Sequence, residues 1–212
     1  MVGPSPRGPC PRARRGVDPG LARSGLAAHQ KKARRKGAVI VFIDETGFSF
    51  QVEPGTTWAP KGRTPVLRRV SKKRQVSTAI GLTLSGHVYP KHFDHAIHGE
   101  DTIAHLKHLR RRIRGAMIVI WDHLQAHRSK LVKEFLIEHP EIDIEWLPSY
   151  APELNPVEEC HGNVKQQMLN AMPETEAEIR QLADRGFARI RRRPDLLLSF
   201  FHHAGLRVKR LT

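Results

Sequence analysis

The sequence predicts an α/β protein, a mixed sheet flanked by helices, and three observations carry that expectation. Two six-residue apolar runs, Ala38 to Ile43 and Ala116 to Trp121, have the pattern of strands buried on both faces. Shorter extended stretches with turn residues between them lie in the interval. Apolar residues at three- and four-residue spacing then mark helices that alternate with further strands.

The first run ends at Asp44, and the chain is expected to continue extended from Phe48 to Val52. Thr57-Trp58-Ala59-Pro60-Lys61-Gly62 reads as a turn rich in breaker residues, with Trp58 as packing inside it. Val66 to Val70 and Val76 to Leu84 read as strands, and Ser85-Gly86 turns the chain into another at His87 to Phe93. Ile103, Leu106, Leu109 and Ile113 define a helix whose other face carries Lys107, Arg110, Arg111 and Arg114. The second buried run ends at Asp122. Leu131, Val132, Phe135 and Leu136 mark a helix, and Ile142, Ile144 and Trp146 alternate as in a half-buried strand. Asn155 followed by Pro156 has the form of a helix N-cap with proline at the first helical position. Thr175 with Glu178 is a capping-box pattern opening a last helix through Ile179, Leu182 and Ile190.

Composition sets the partner class. The apolar share of 39% and charged share of 27% fit a folded domain. No apolar run reaches the ~20 residues a membrane span needs, and the basic N-terminus lacks the apolar segment of a secretory signal. The expectation is therefore an intracellular, cytoplasmic protein with no membrane partner. Cys10 and Cys160 form no metal-binding pair, and Cys160 is expected to be a packed apolar residue. The net charge of +15 points to polyanions, nucleic acid first among them. Nine of those charges come from residues 1–36, so the rest of the chain is moderately basic. Residues 1–29, rich in Pro, Gly, Arg and Ala without apolar periodicity, are expected to be a disordered tail. The basic run Lys31-Lys32-Ala33-Arg34-Arg35-Lys36 follows it. Lys31, Lys32, Arg34, Arg35, Lys36, Arg110, Arg111, Arg114, His127 and Arg128 are candidate DNA contacts, although arginine runs are by default solvated helix faces.

Asp44 and Asp122 each follow a buried strand, and strand ends favour ligand sites. If the strands are neighbours, the two carboxylates converge, and their repulsion is relieved by a hard divalent cation. Pattern alone leaves open whether each aspartate merely ends its strand in a turn. Glu158 lies at the third helical position after Asn155, where a cap role competes with a ligand role. Helix phase favours Glu158 over Glu159, since Val157, Val164 and Met168 define the buried face and one residue turns the helix by about 100°. His123 and His127 share the spacing of a zinc pair, but no further zinc ligands stand at a recognisable distance. They are expected to hydrogen-bond near Asp122 or to contact phosphate.

Three segments together resemble a known family. Val41-Phe42-Ile43-Asp44-Glu45-Thr46-Gly47-Phe48, Trp121-Asp122-His123 through His127-Arg128-Ser129, and Leu147 through Asn155-Pro156-Val157-Glu158 are similar to the acidic motifs of bacterial insertion-sequence transposases. These belong to the mariner-like superfamily with a DDE catalytic domain. Trp58-Ala59-Pro60-Lys61-Gly62 and His203-Ala204-Gly205 are also similar to the family pattern. The resemblance covers about Gln30 to Arg207, leaving 208–212 as a C-terminal tail.

The resemblance implies a ribonuclease H-like fold in which Asp44, Asp122 and Glu158 are catalytic and bind Mg²⁺ or Mn²⁺, as two ions. Two ions about 3.5–4 Å apart clamp the attacking and leaving oxygens of an in-line displacement. The implied activity is cleavage at transposon ends and strand transfer into target DNA, without a covalent protein–DNA intermediate, by a homodimer on DNA. An inactive remnant that only binds DNA or partner subunits is the alternative.

Three departures stand out. His123 takes the place of a usual asparagine, and His161 that of a usual tryptophan, which is expected to weaken the positioning of Glu158. Residues 1–29 hold nothing like the family's helix-turn-helix domains, so that function is expected from a separate polypeptide or another reading frame.

Overall fold

The computed structural model describes residues 19–50, 58–61, 63, 66, 75–122, 127, 129–148, 151–206, 208 and 211, with side chains from residue 26 onward. Five strands form one sheet: β1 (Val39–Ser49), β2 (Gln75–Thr83), β3 (Val88–Phe93), β4 (Met117–Trp121) and β5 (Ile142–Trp146), in the order β3-β2-β1-β4-β5. β1, β2 and β3 pair antiparallel, whereas β4 and β5 run parallel to β1. The helices are α1 (Pro19–Lys36), α2 (Gly99–Arg110), α3 (Lys130–Glu138), α4 (Pro156–Gln167), α5 (Glu176–Arg191) and α6 (Pro194–His203).

The period-two alternation of β1 and β4 divides the core into two layers. Ile40, Phe42, Phe48, Ile118 and Ile120 face one layer, packed with residues of α1, α4, α5 and α6. Val41, Ile43, Met117, Val119 and Trp121 face the other, against α2 and α3. This explains the unbroken apolar runs: both faces of the central strands are covered. Gly186 permits the close approach of α5 to α4, since a Cβ there would lie 2.8 Å from a methyl of Val164. Along its length α5 is tied to β3 and the residue after it, by Asp184 to His92 at 3.1 Å, by Arg180 to Asp94, and by two bonds from the Arg191 guanidinium to the Val88 carbonyl.

Several expectations change. Asp44 does not end its strand: pairing with β2 continues from Asp44↔Ile80 to Ser49↔Gln75. The pairing of β1 with β4 stops at Phe42↔Ile120, so only the β2 side keeps β1 extended past the aspartate. The tail expected to be disordered as far as residue 29 is helical from Pro19, because Ala, Leu, Gln, Lys and Arg are good helix formers and Leu26 and Ala33 reach the core. Residues 1–18 lie outside the described residues. The strand expected at Val66 to Val70 falls largely outside them too, and Val66 itself is exposed. Trp58 is fully exposed rather than packed in its turn. The C-terminal helix expected from Thr175 is followed by a second, α6, whose Phe201 packs edge-on against Phe42. Cys160 is buried, as expected, and burial pushes its thiol up to about 12. Among the described residues no helix is long and apolar enough to cross a membrane.

Candidate active site

Parallel pairing places the C-terminal ends of β1 and β4 side by side. Phe42 pairs with Ile120, so Asp44 lies two residues further along β1 and Asp122 immediately past the end of β4 beside it. Asp44 has the parity of Phe42 and projects into the α4 layer. The third carboxylate arrives on α4, whose start is pinned to β1 by one residue. The Asn155 side chain accepts a hydrogen bond from Val157 N–H at 3.2 Å and donates another to the Ile43 carbonyl at 3.0 Å. With Pro156 at the first position, the helix begins one residue along β1 from Asp44, and Glu158 faces the aspartate.

His161 joins the two. Its Nε2–H donates to Asp44 Oδ2 at 2.9 Å and to Glu158 Oε2 at 3.0 Å. One turn of helix separates Glu158 from His161, so the same face presents both. The substitution expected to weaken the positioning of Glu158 therefore holds that carboxylate in place through a hydrogen bond. Glu159 points elsewhere, its carboxylate 3.4 Å from His203 of α6, in agreement with helix phase.

A second histidine works from the opposite layer. Glu45 has the opposite parity to Asp44, and His127 bridges it to Asp122: Nε2 lies 3.0 Å from Glu45 Oε2 and Nδ1 2.9 Å from Asp122 Oδ1. The ring stacks on Trp121 with centroids 3.7 Å apart. His127 is only 2% exposed, and of the two roles expected for it, the hydrogen bond to Asp122 is the one present.

The electrostatics follow from burial and pairing. Burial raises Asp44 above the ordinary carboxylate range, against the pull of the His161 hydrogen bond. Glu45 is likewise raised by burial. Glu158, more exposed, is lowered by its hydrogen bond from His161, with Asp122 close enough to oppose that effect. Burial would lower both histidines, but their carboxylate partners outweigh it. His161 is raised, and His127 reaches about 9.

One ligand atom from each of Asp44, Glu158 and His161 lies within 4.8 Å of the others, a spread that fits one divalent cation. Asp122 flanks this trio across the β1–β4 boundary, oriented by His127. Of the expected triad, Asp44 and Glu158 meet in this group together with His161, whereas Asp122 stands outside it, bound to His127. His161 belongs to this group, while Glu45 reaches Asp122 only through His127 on the opposite face. Strand alternation would have placed Glu45 opposite Asp44, and the spacing of three from Glu158 would have placed His161 on its face.

The expected DNA contacts are dispersed. Arg110 pairs with Glu141 at 2.6 Å, and Arg111 and Arg114 are exposed just before β4 begins. A five-residue strand at about 3.3 Å per residue separates them from Asp122, so they lie at the far end of the sheet. Lys32 pairs with Asp143 and Glu145 of β5, and Lys36 with Asp143. Lys31, Arg34 and Arg35 are exposed on α1, and Arg128 lies outside the described residues.

A mixed five-stranded sheet with helices on both faces and acidic residues at one end of its central strands defines a ribonuclease H-like domain. The sequence matches the DDE superfamily endonuclease family over residues 39–180, and the chain belongs to that family. No curated protein matches it by sequence. Among solved structures, the mariner Mos1 paired-end complex with Mg is similar at 15% identity and a TM-score of 0.60, covering 99% of this chain and 68% of that one. The Mos1 paired-end complex with Mn gives 14% identity and a TM-score of 0.59, covering 97% and 68%. The isolated Mos1 catalytic domain gives 14% and 0.54, covering 94% of this chain and all of that one. At such identities the likeness establishes the fold.

Proposed function

We propose that this DDE superfamily endonuclease is the catalytic domain of a transposase, which cuts DNA at transposon ends and joins the freed ends to target DNA. The observation that carries this reading is the meeting of Asp44 and Glu158 at the end of β1, with Asp122 just past the neighbouring strand, within the stretch matched by the endonuclease family. The structural neighbours support it, being Mos1 transposase complexes with a transposon end, with Mg and with Mn.

Asp44 and Glu158 would hold a divalent cation, and Asp122, held by His127 at the neighbouring strand end, would add its carboxylate for a second. Bound Mg²⁺ or Mn²⁺ would supply Lewis acidity toward the phosphodiester. Burial of Asp44 excludes competing water, Asn155 fixes the approach of α4, and His127 fixes Asp122. Attack by water in line with the leaving oxygen frees a 3′ hydroxyl, and that hydroxyl then attacks target DNA at the same site. We further propose a homodimer on DNA, working in the cytoplasm where chromosomal DNA lies, with end recognition provided by helix-turn-helix sequence outside this chain.

The test is incubation with DNA carrying the element's terminal repeats and a target plasmid in Mg²⁺ or Mn²⁺. Expected are nicked ends bearing 3′ hydroxyls, plasmid-joined products, and no protein attached to DNA after denaturation. A covalent protein–DNA adduct, or cleavage undiminished by a chelator, would overturn the proposal.

A further inference from the structure

We propose that His161 Nε2 is itself a metal ligand, so that the site takes a first-row transition ion such as Mn²⁺ in preference to Mg²⁺. The inference rests on the metal-dependent reading of the same site. It adds a nitrogen donor to what the three carboxylates supply.

Three observations lead to it. Nε2 stands between the two carboxylates, 2.9 Å from Asp44 and 3.0 Å from Glu158, and the three ligand atoms lie within 4.8 Å of one another. Metal–ligand bonds of ~2.0–2.2 Å bring donor atoms to about 3–4.4 Å apart, so one ion seated among the three requires only small side-chain shifts. The ring is only 7% exposed and shares a helix face with Glu158, so an ion between the carboxylates meets it whatever else changes. Nδ1 is buried and has no hydrogen-bond partner among the described residues, so no contact there draws the ring away. Without an ion, Nε2–H holds the carboxylates together. With one, the same nitrogen would offer its lone pair, its proton leaving to solvent while the neutral ring keeps its one hydrogen on Nδ1.

His127 shows the contrast. Both of its nitrogens are taken, by Asp122 and by Glu45 on the other face of the sheet, so it positions a carboxylate without facing the ion. Mg²⁺ favours oxygen donors, whereas imidazole suits transition ions, and a set of two carboxylates and one imidazole shifts preference toward the latter.

The test uses the full chain with Mn²⁺. Pulsed electron paramagnetic resonance reads nitrogen coupling to the ion, and calorimetry gives the affinities for Mn²⁺ and Mg²⁺. Wild type is expected to show imidazole coupling that is lost in His161→Gln and His161→Asn but kept in His127→Gln. Mn²⁺ affinity in the two His161 variants is expected to fall at least about tenfold, the effect that loss of even an outer-shell partner has. Mg²⁺ affinity is expected to fall by a smaller factor. Wild type that binds Mn²⁺ without nitrogen coupling, or coupling that survives both His161 substitutions, would overturn the proposal and leave the carboxylate site intact. Mn²⁺ binding unchanged in Asp44→Asn would overturn the metal-site reading and this inference with it.

Discussion

Asn155 is the joint through which the sheet positions the third carboxylate, and truncating it tests that geometry quantitatively. Asn155→Ala removes a helix cap, worth about 1 kcal/mol, and a buried hydrogen bond to the Ile43 carbonyl, worth about 1 kcal/mol net. The side chain is only 3% exposed, so water does not readily replace it. The loss should total about 2–3 kcal/mol, and at 2–4 °C per kcal/mol for a domain of this size the midpoint should fall by roughly 4–12 °C. Thermal unfolding followed by circular dichroism measures it. Asn155→Ser keeps a cap oxygen but does not reach Ile43, so about half the loss is expected. Cleavage assayed well below the midpoint should fall in both variants, because Glu158 no longer meets Asp44 at a fixed distance. An Asn155→Ala midpoint within about 1 °C of wild type would refute the proposed joint.

Stability of the metal-free protein should decline as pH rises from neutrality. His127 is raised from 6.5 to about 9 on folding, so its contribution is fully present below 6.5 and is lost as pH passes through about 9. Chemical denaturation at pH 6 and pH 9 should show this decline, on the order of 1–3 kcal/mol, and His127→Gln should flatten it; equal slopes would count against the bridge. Phe187 is fully buried and packs edge-on against Phe48 at 6.1 Å, so Phe187→Ala should cost about 3–5 kcal/mol in the same denaturation experiment. Lys32 is engaged by Asp143 and Glu145, so Lys32→Ala should leave the salt dependence of DNA binding unchanged. A slope reduced by about 0.9 in a binding titration over a salt series would instead make it a phosphate contact.

The parts of this molecule that the sequence made legible are those in which local pattern and tertiary role coincide. Two apolar runs specified β1 and β4 because strands covered on both faces need no polar alternation, and each aspartate stood at the first polar position after them. Asn155-Pro156 announced the start of α4, and helix phase separated Glu158 from Glu159. What stayed hidden depended on partners distant in sequence. Nothing near Asp44 signals that β2 carries the strand through the aspartate without a break to the stretch read as extended from Phe48. His161 read as a loss of packing because its hydrogen bonds reach Asp44, 117 positions away. The arginines after α2 read as DNA contacts because charge patterning does not reveal which end of a sheet a helix reaches. Lys32 is neutralised by strand β5, more than a hundred residues away.

On the proposed function, three carboxylates from β1, the end of β4 and the start of α4 act as one metal-dependent centre for cutting DNA. The direct measurement is Mn²⁺-dependent cleavage of a labelled duplex by wild type and by Asp44→Ala, Asp122→Ala, Glu158→Ala and Glu159→Ala, each checked for folding by circular dichroism. The first three variants are expected to be folded and inactive, and Glu159→Ala, whose carboxylate turns toward His203, to cut like wild type. Cleavage that survives Glu158→Ala and disappears in Glu159→Ala would contradict it.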